Sequence, residues 1–257
     1  MKFTNIRFLP FCYTFESRIK TKGERISWFL IYPIYLLLFC YIFSFDFLYC
    51  FVGILSTMQM YEVGYLFNDI YTVKKEKNPT TRISGELVWY KNKFKYLVVF
   101  KTITALLLPL VFLDLMFFSV MTTSLLFILF FYFLHNNIRN RANVLTYFFL
   151  VSLRYTAPVF YFLDFQLFLL IIISFPLCRT LEHSCKKKYD IKLSKLIVSS
   201  NVDLFRVKYY AFFTFIVFCF FGLGKALIIM SYFLTLRALA LLLSDSSYFK
   251  RNKHDSY

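Results

Sequence analysis

The sequence predicts an all-α protein, a polytopic bundle of about eight membrane-spanning helices. Composition is the first observation behind this expectation. Of 257 residues, 59% are hydrophobic and only 17% charged, with a mean hydropathy of +0.60, whereas a soluble domain carries about 25% charged residues. The second is run length, because several apolar stretches approach the roughly 20 residues that cross a hydrocarbon core. Charge placement is the third. The net charge is +16, and 26 of the 30 Lys and Arg fall in an N-terminal arm, three hydrophilic loops and a C-terminal tail. That clustering follows the positive-inside rule. No basic stretch belongs to a soluble domain, so no nucleic-acid partner is expected. The length suits one polytopic domain.

Residues 1–26 form a basic arm with Phe3, Ile6, Phe8, Leu9 and Phe11 interleaved. It lacks the uninterrupted apolar core of a cleaved signal peptide. An amphipathic helix on the membrane surface, broken or started at Pro10, is the expectation. Residues 27–45 form the first span, Asp46 marks a tight turn, and 47–67 return as the second. The loop 70–95 carries seven basic residues. Spans 96–115 and 117–134 follow, turning near Asp114. After the short polar loop 135–142, residues 143–178 must hold two spans divided between Pro158 and Asp164. The longest hydrophilic stretch, 179–208, carries eight basic residues. Residues 209–222 and 226–243 supply the last two spans of the domain 27–243, and 244–257 form a polar tail.

Eight spans place both termini and every long loop on one side. The opposite loops carry Asp46, Asp114, Asp164 and Lys225. The basic side is therefore expected to be cytoplasmic. Six cysteines form no CxxC pair. Cys178, His183 and Cys185 lie close together but lack a fourth ligand at regular zinc spacing.

Charged groups inside a membrane are expensive and usually face the bundle interior. Glu62 lies seven residues before Asp69, so on a helix the two carboxylates face nearly the same way. Lys101 and Arg237 lie one or two turns inside their spans, and Lys101 either snorkels to the cytoplasmic interface or faces the bundle interior. Arg154 is too deep to snorkel easily and is expected to line a cavity. Asn68, Asp69 and Glu76 offer hard oxygen ligands at the cytoplasmic boundary. Mg²⁺ is usually held by one or two carboxylates together with substrate phosphates, and neighbouring Lys and Arg would take the remaining phosphate oxygens.

These residues also carry a resemblance. The run NDIYTVKKEKNPTTR (68–82) resembles the first motif of the UbiA-type membrane transferases, NDxxDxxxD followed by a basic segment. More narrowly, it is similar to the polyprenyl-phosphate phosphoribosyltransferase branch. FFLVSLRYTAP (148–158) is similar to that branch's fifth-helix segment, with Arg154 at its arginine. FPLCRTLEH (175–183) resembles its Lys-Arg-x-x-Glu segment through Arg179 and Glu182, with Cys178 replacing the lysine. LSKLIVSSNVDLF (193–205) and LTLRALALLL (234–243) continue the likeness in collinear order. Thr72 stands at the family's second aspartate, Glu76 replaces the third, and the family commonly has nine membrane helices.

The resemblance implies transfer of a phosphoribosyl group from soluble 5-phosphoribosyl diphosphate to a polyprenyl phosphate lipid. It implies a bacterial plasma membrane, a cytoplasmic site and cell-envelope glycan synthesis. Asp69, Glu76 and Glu182 would be the catalytic residues. Asn68, Lys75, Lys77, Arg82, Arg154 and Arg179 would bind substrate, and Asn68, Asp69 and Glu76 would hold Mg²⁺. Two alternatives stand beside it: a prenyl diphosphate donor with an aromatic or other acceptor, and a non-catalytic relative marked by Thr72.

Overall fold

In a computed structural model of the chain, residues 4–75, 82–83, 85–138, 140–186, 189, 191, 198, 201–221 and 224–243 are described. Every regular element among them is helical. A 3-10 turn, Thr4–Phe8, leads to the short α1, Cys12–Ser17. Then come α2 (Lys22–Phe43), α3 (Phe47–Phe67), α4 (Leu87–Phe112), α5 (Leu115–Asn137) and α6 (Asn143–Phe162). Two short helices, α7 (Phe165–Ser174) and α8 (Pro176–Ser184), meet at a 42° bend. Last are α9 (Val202–Phe221) and α10 (Lys225–Leu242).

The sequence explains the helix ends. Asp46, Asp114 and Asp164, expected only as turn markers, each cap the next helix. Their carboxylates accept from the N–H groups of Leu48 (2.7 Å), Phe117 (2.8 Å) and Leu167 (2.8 Å). Each satisfies an orphan N–H of the first turn, a contribution of about 1 kcal/mol. α2 opens with a capping box: Thr21 Oγ1 accepts from Glu24 N, and Glu24 accepts from Thr21 N. Pro33 cannot donate to the helix ladder, and α2 widens into a π-turn over Leu30–Ile34. The carbonyls there are taken up from outside, Leu30 by the Tyr232 hydroxyl and Ile31 by the Tyr155 hydroxyl, each at 2.8 Å. This cross-linking supplies partners where lipid offers none.

The central column is α3, in which 14 of 21 residues are buried. Its neighbours approach closely at two glycines. A Cβ at Gly53 would lie 2.6 Å from the Pro158 carbonyl oxygen, and one at Gly64 would lie 2.4 Å from the Tyr132 ring. On the outer surface the apolar residues run the other way. Val99, Ile103, Leu107 and Val111 form an exposed stripe at helical spacing along α4, a face suited to lipid and not to water.

Five helices are long and apolar enough to cross a membrane: α2, α4, α5, α6 and α10, with the bent α7–α8 pair a sixth if it acts as one span. The chain is thus an integral membrane protein. The eight spans expected included α3 and the later part of α9. α3 falls short on hydropathy because Gln59 and Glu62 sit in its middle, both buried. α9 carries Asp203, Arg206 and Lys208 in its first turns.

Two boundaries differ from expectation. The first basic loop ends where α4 begins at Leu87, so Lys91, Lys93 and Lys95 lie exposed on the first turns of that helix. The arm does not stand apart as a surface helix. Tyr13, Thr14 and Ser17 are buried against the bundle, because Glu62 of α3 and Asp69, in the π-turn Asn68–Thr72 that continues it, need donors and α1 supplies them.

Candidate functional site

The site is best built from the base of α3. Glu62 and Lys101 are both fully buried and pair at 2.7 Å. Glu62 also accepts from the Thr14 N–H (2.7 Å) and hydroxyl (2.9 Å). Lys101 donates further to Gln59 and to the carbonyls of Phe8 and Leu9. Every polar group there is matched, so Lys101 does not snorkel. It joins α4, α3 and the arm.

Two turns on, Asp69 faces the same arm, as its spacing from Glu62 predicts. Its Oδ2 accepts from the Tyr13 hydroxyl at 2.8 Å. Its Oδ1 accepts from Arg18 Nη2 at 2.8 Å and from the Asn68 amide at 3.1 Å, with Arg82 Nη1 3.7 Å away. Burial pushes the Tyr13 phenol well above its ordinary range, and the Asp69 charge adds to this. Tyr13 therefore stays a donor. Thr72, at the position of the missing aspartate, donates its hydroxyl to Asn68 Oδ1 at 2.8 Å.

Arg154 rises from α6 beside this group. Its guanidinium lies over the Tyr61 ring at 4.2 Å and donates to the Tyr65 hydroxyl. Arg18 covers the Tyr65 ring from 4.5 Å. Among the described residues no carboxylate pairs with Arg154, and its buried Nε has no acceptor; the same holds for Nε and Nη1 of Arg18 and for Nε of Arg237.

The second group lies where α8 meets α9. Arg206 grips Glu182 with two nitrogens, Nε on Oε1 and Nη2 on Oε2, and donates Nη1 to Asp203 at 2.9 Å. Arg179 reaches Glu182 from the preceding turn of its own helix. The pair Glu182–Arg206 is almost wholly buried, and bidentate geometry makes it a strong one. Tyr147 joins the two groups. Its ring stacks on His183 of α8 at 3.8 Å, and it sits on the same helix, α6, as Arg154. α6 packs against both α3 and α8, which is why the halves meet.

Of the residues expected at the site, Asn68, Asp69 and Arg82 come together, Arg154 adjoins them through Tyr65, and Arg179 with Glu182 forms the second group. Glu76 and Lys77 lie outside the described residues, as does the Lys75 side chain. Sequence reasoning missed Arg18, Arg206 and the tyrosine cage. Arg206 had a signal in its i,i+3 spacing from Asp203. For Arg18 the signal was the polar face Tyr13, Thr14, Ser17, Arg18 in an arm otherwise read as amphipathic surface.

The described donors do not fit Mg²⁺. Both oxygens of Asp69 already hold protein donors, one of them a guanidinium. The oxygen of Asn68 holds Thr72. Among the described residues no group of three or more His, Cys, Asp and Glu is placed to hold a metal. What the arrangement offers instead is anchored positive charge around aromatic rings. No family model matches the chain, and no curated protein or solved structure matches it either.

Proposed function

We propose that the chain is a membrane transferase that handles phosphate-bearing substrates at its basic, cytoplasmic face. Its reading is transfer of a phosphoribosyl group from 5-phosphoribosyl diphosphate to a polyprenyl phosphate, in a bacterial plasma membrane. Counting α3, the α7–α8 pair and α9 with the five apolar helices gives eight spans. The termini then lie on one side, with Asp46, Asp114 and Asp164 on the other. What supports the reading is that α6 packs against the helices of both arginine groups, which hold more guanidiniums than carboxylates among the described residues.

The chemistry asks for little else. An acceptor phosphate is already anionic at neutral pH, so its oxygen needs no strong base. As that oxygen bonds to the anomeric carbon, the bond to the diphosphate breaks and its electron pair leaves with the diphosphate. Fixed cations in a partly dehydrated site stabilise that charge better than water does. Arg154, Arg18, Arg82 and Arg179 fill this role, each held by an aromatic ring or a carboxylate. Glu182 is a positioning residue, since both its oxygens are spent on Arg206 and Arg179. The expected Mg²⁺ would require Asp69 to be released by Arg18 and Tyr13, and no step here is routed through it.

A non-catalytic lipid-binding role is the second reading, favoured by the same occupied Asp69. Transfer of label from phosphoribosyl diphosphate into an organic-soluble lipid separates the two: an enzyme moves it and a lipid-binding relative does not.

A further inference from the structure

Positive charge stands where the resemblance places a metal. Arg18 caps the C-terminus of α1, outside every stretch that carries the resemblance, and its Nη2 sits 2.8 Å from Asp69 Oδ1. Its side chain is 14% exposed, and Nε and Nη1 are buried without acceptors among the described residues. Arg154 adds a third such N–H, its own Nε. Both guanidiniums flank one phenol: Arg18 lies 4.5 Å and Arg154 5.8 Å from the Tyr65 ring centre, and the Tyr65 hydroxyl accepts from Arg154.

We propose that Arg18 and Arg154, held astride Tyr65, form a metal-independent seat for a phosphate oxyanion. Asp69 serves it as an anchor for Arg18 and not as a metal ligand. The inference deepens the transferase reading and rests on it for the choice of phosphate. Three arguments carry it. Charge is the first: among the described residues Arg18 and Arg82 stand at one carboxylate, Asp69, and Arg154 adjoins them across Tyr65 with no carboxylate of its own. That leaves an excess of positive charge that a phosphate's two negative charges would offset.

Hydrogen bonding is the second. Buried charged N–H groups without acceptors are costly, and one anion with several oxygens satisfies more than one of them. The third is the Asn68–Thr72 pair. With a hydroxyl where the motif has a carboxylate, the turn closes on itself through Thr72 Oγ1 and Asn68 Oδ1 at 2.8 Å. One guanidinium nitrogen of Arg18 then meets the first acid of the motif, Asp69.

The oxyanion would come from the lipid acceptor or from the soluble diphosphate, and two probes tell these apart. The full chain, in nanodiscs of neutral phosphatidylcholine with EDTA, is titrated with inorganic diphosphate and separately with farnesyl phosphate by calorimetry. At least one should bind, with an affinity that added Mg²⁺ leaves unchanged. Arg18→Gln should weaken that binding about tenfold or more, the weight of one charged hydrogen bond. Arg18→Lys should fall between, because an ammonium keeps the charge and loses the fork. Lys91→Gln, on the exposed face of α4, should change nothing.

If Arg18→Gln does not fold, Tyr65→Phe tests the same seat. It removes only the hydroxyl under Arg154 and should also weaken binding. Binding of neither probe in EDTA overturns the proposal, as does binding that both variants leave intact. Binding in EDTA without any phosphoribosyl transfer keeps the seat and removes the transferase reading. Transfer that requires Mg²⁺, without binding in EDTA, does the reverse.

Discussion

Replacing Glu62 by Gln tests how the arm is fastened to the bundle. The substitution keeps shape and removes one charge. Lys101 is then left fully buried with only neutral acceptors: Gln59, the new amide, and the carbonyls of Phe8 and Leu9. Breaking one side of a buried pair costs about 3–5 kcal/mol, mostly because the partner charge is stranded. For a chain of this length that is a fall in melting temperature of roughly 6–20 °C.

Adding Lys101→Met removes the stranded charge and should restore about half of the loss. The remainder is the Leu9 carbonyl and the Gln59 amide oxygen, which lose their donor at about 1–3 kcal/mol, while the Phe8 carbonyl keeps Gln59 Nε2. The coupling between the two positions should therefore be at least about 2 kcal/mol. Unfolding in mixed detergent micelles measures it, and limited proteolysis should show the arm cut first in Glu62→Gln, because Thr14 hangs on the same carboxylate. A single substitution within about 1 kcal/mol of wild type, or strictly additive effects, would refute the reasoning.

Other expectations follow from the same contacts. Glu182→Gln should destabilise by about 3 kcal/mol or more through the stranded Arg206, read as detergent-unfolding stability, while Glu182→Gln with Arg206→Met should recover most of it. Gly64→Ala should cost about 1–3 kcal/mol, because its methyl meets the Tyr132 ring of α5. Pairing it with Tyr132→Leu should relieve that cost in the same assay. The Tyr49 hydroxyl, 2.5 Å from Asp114, holds that carboxyl below its usual range. The folded pKa is depressed, so the contribution is full above the ordinary carboxylate range and lost as pH falls through the folded value. The stability gap between wild type and Tyr49→Phe should be present at pH 7 and shrink below about pH 4.

The fold class was legible because hydrophobicity and loop charge are properties of composition and spacing. The tight turns at Asp46, Asp114 and Asp164 were legible too, whereas their capping of the next helices emerged only from the structure. Helix α3 was legible as a segment, and its central place was not. Gln59 and Glu62 reveal that only once Lys101 and Thr14 are seen to meet them from α4 and from the arm. Of the residues that local motifs singled out, Asn68, Asp69 and Arg82 come together and Arg179 pairs with Glu182. Those motifs could not find Arg18, which is 51 residues from its partner Asp69, or Arg206, which is 24 residues from Glu182. Such pairings are fixed by helix packing, and no sequence window spans them. The tyrosines around Arg154 were hidden for another reason. In a chain with 20 Tyr and 36 Phe, an aromatic cage looks like ordinary membrane-protein composition.

The most direct test of the transferase reading is an acceptor assay on the purified full chain. Radiolabelled 5-phosphoribosyl diphosphate and a polyprenyl phosphate are supplied with Mg²⁺ present, and label is counted in the organic phase. The account predicts transfer by the wild type and a loss of about a hundredfold or more in Arg154→Gln, provided that variant keeps its elution profile and melting temperature. Label that stays in water, while a prenyl diphosphate donor is consumed, would contradict the phosphoribosyl assignment. Inactivity with both donors would contradict the transferase itself and leave a lipid-binding protein.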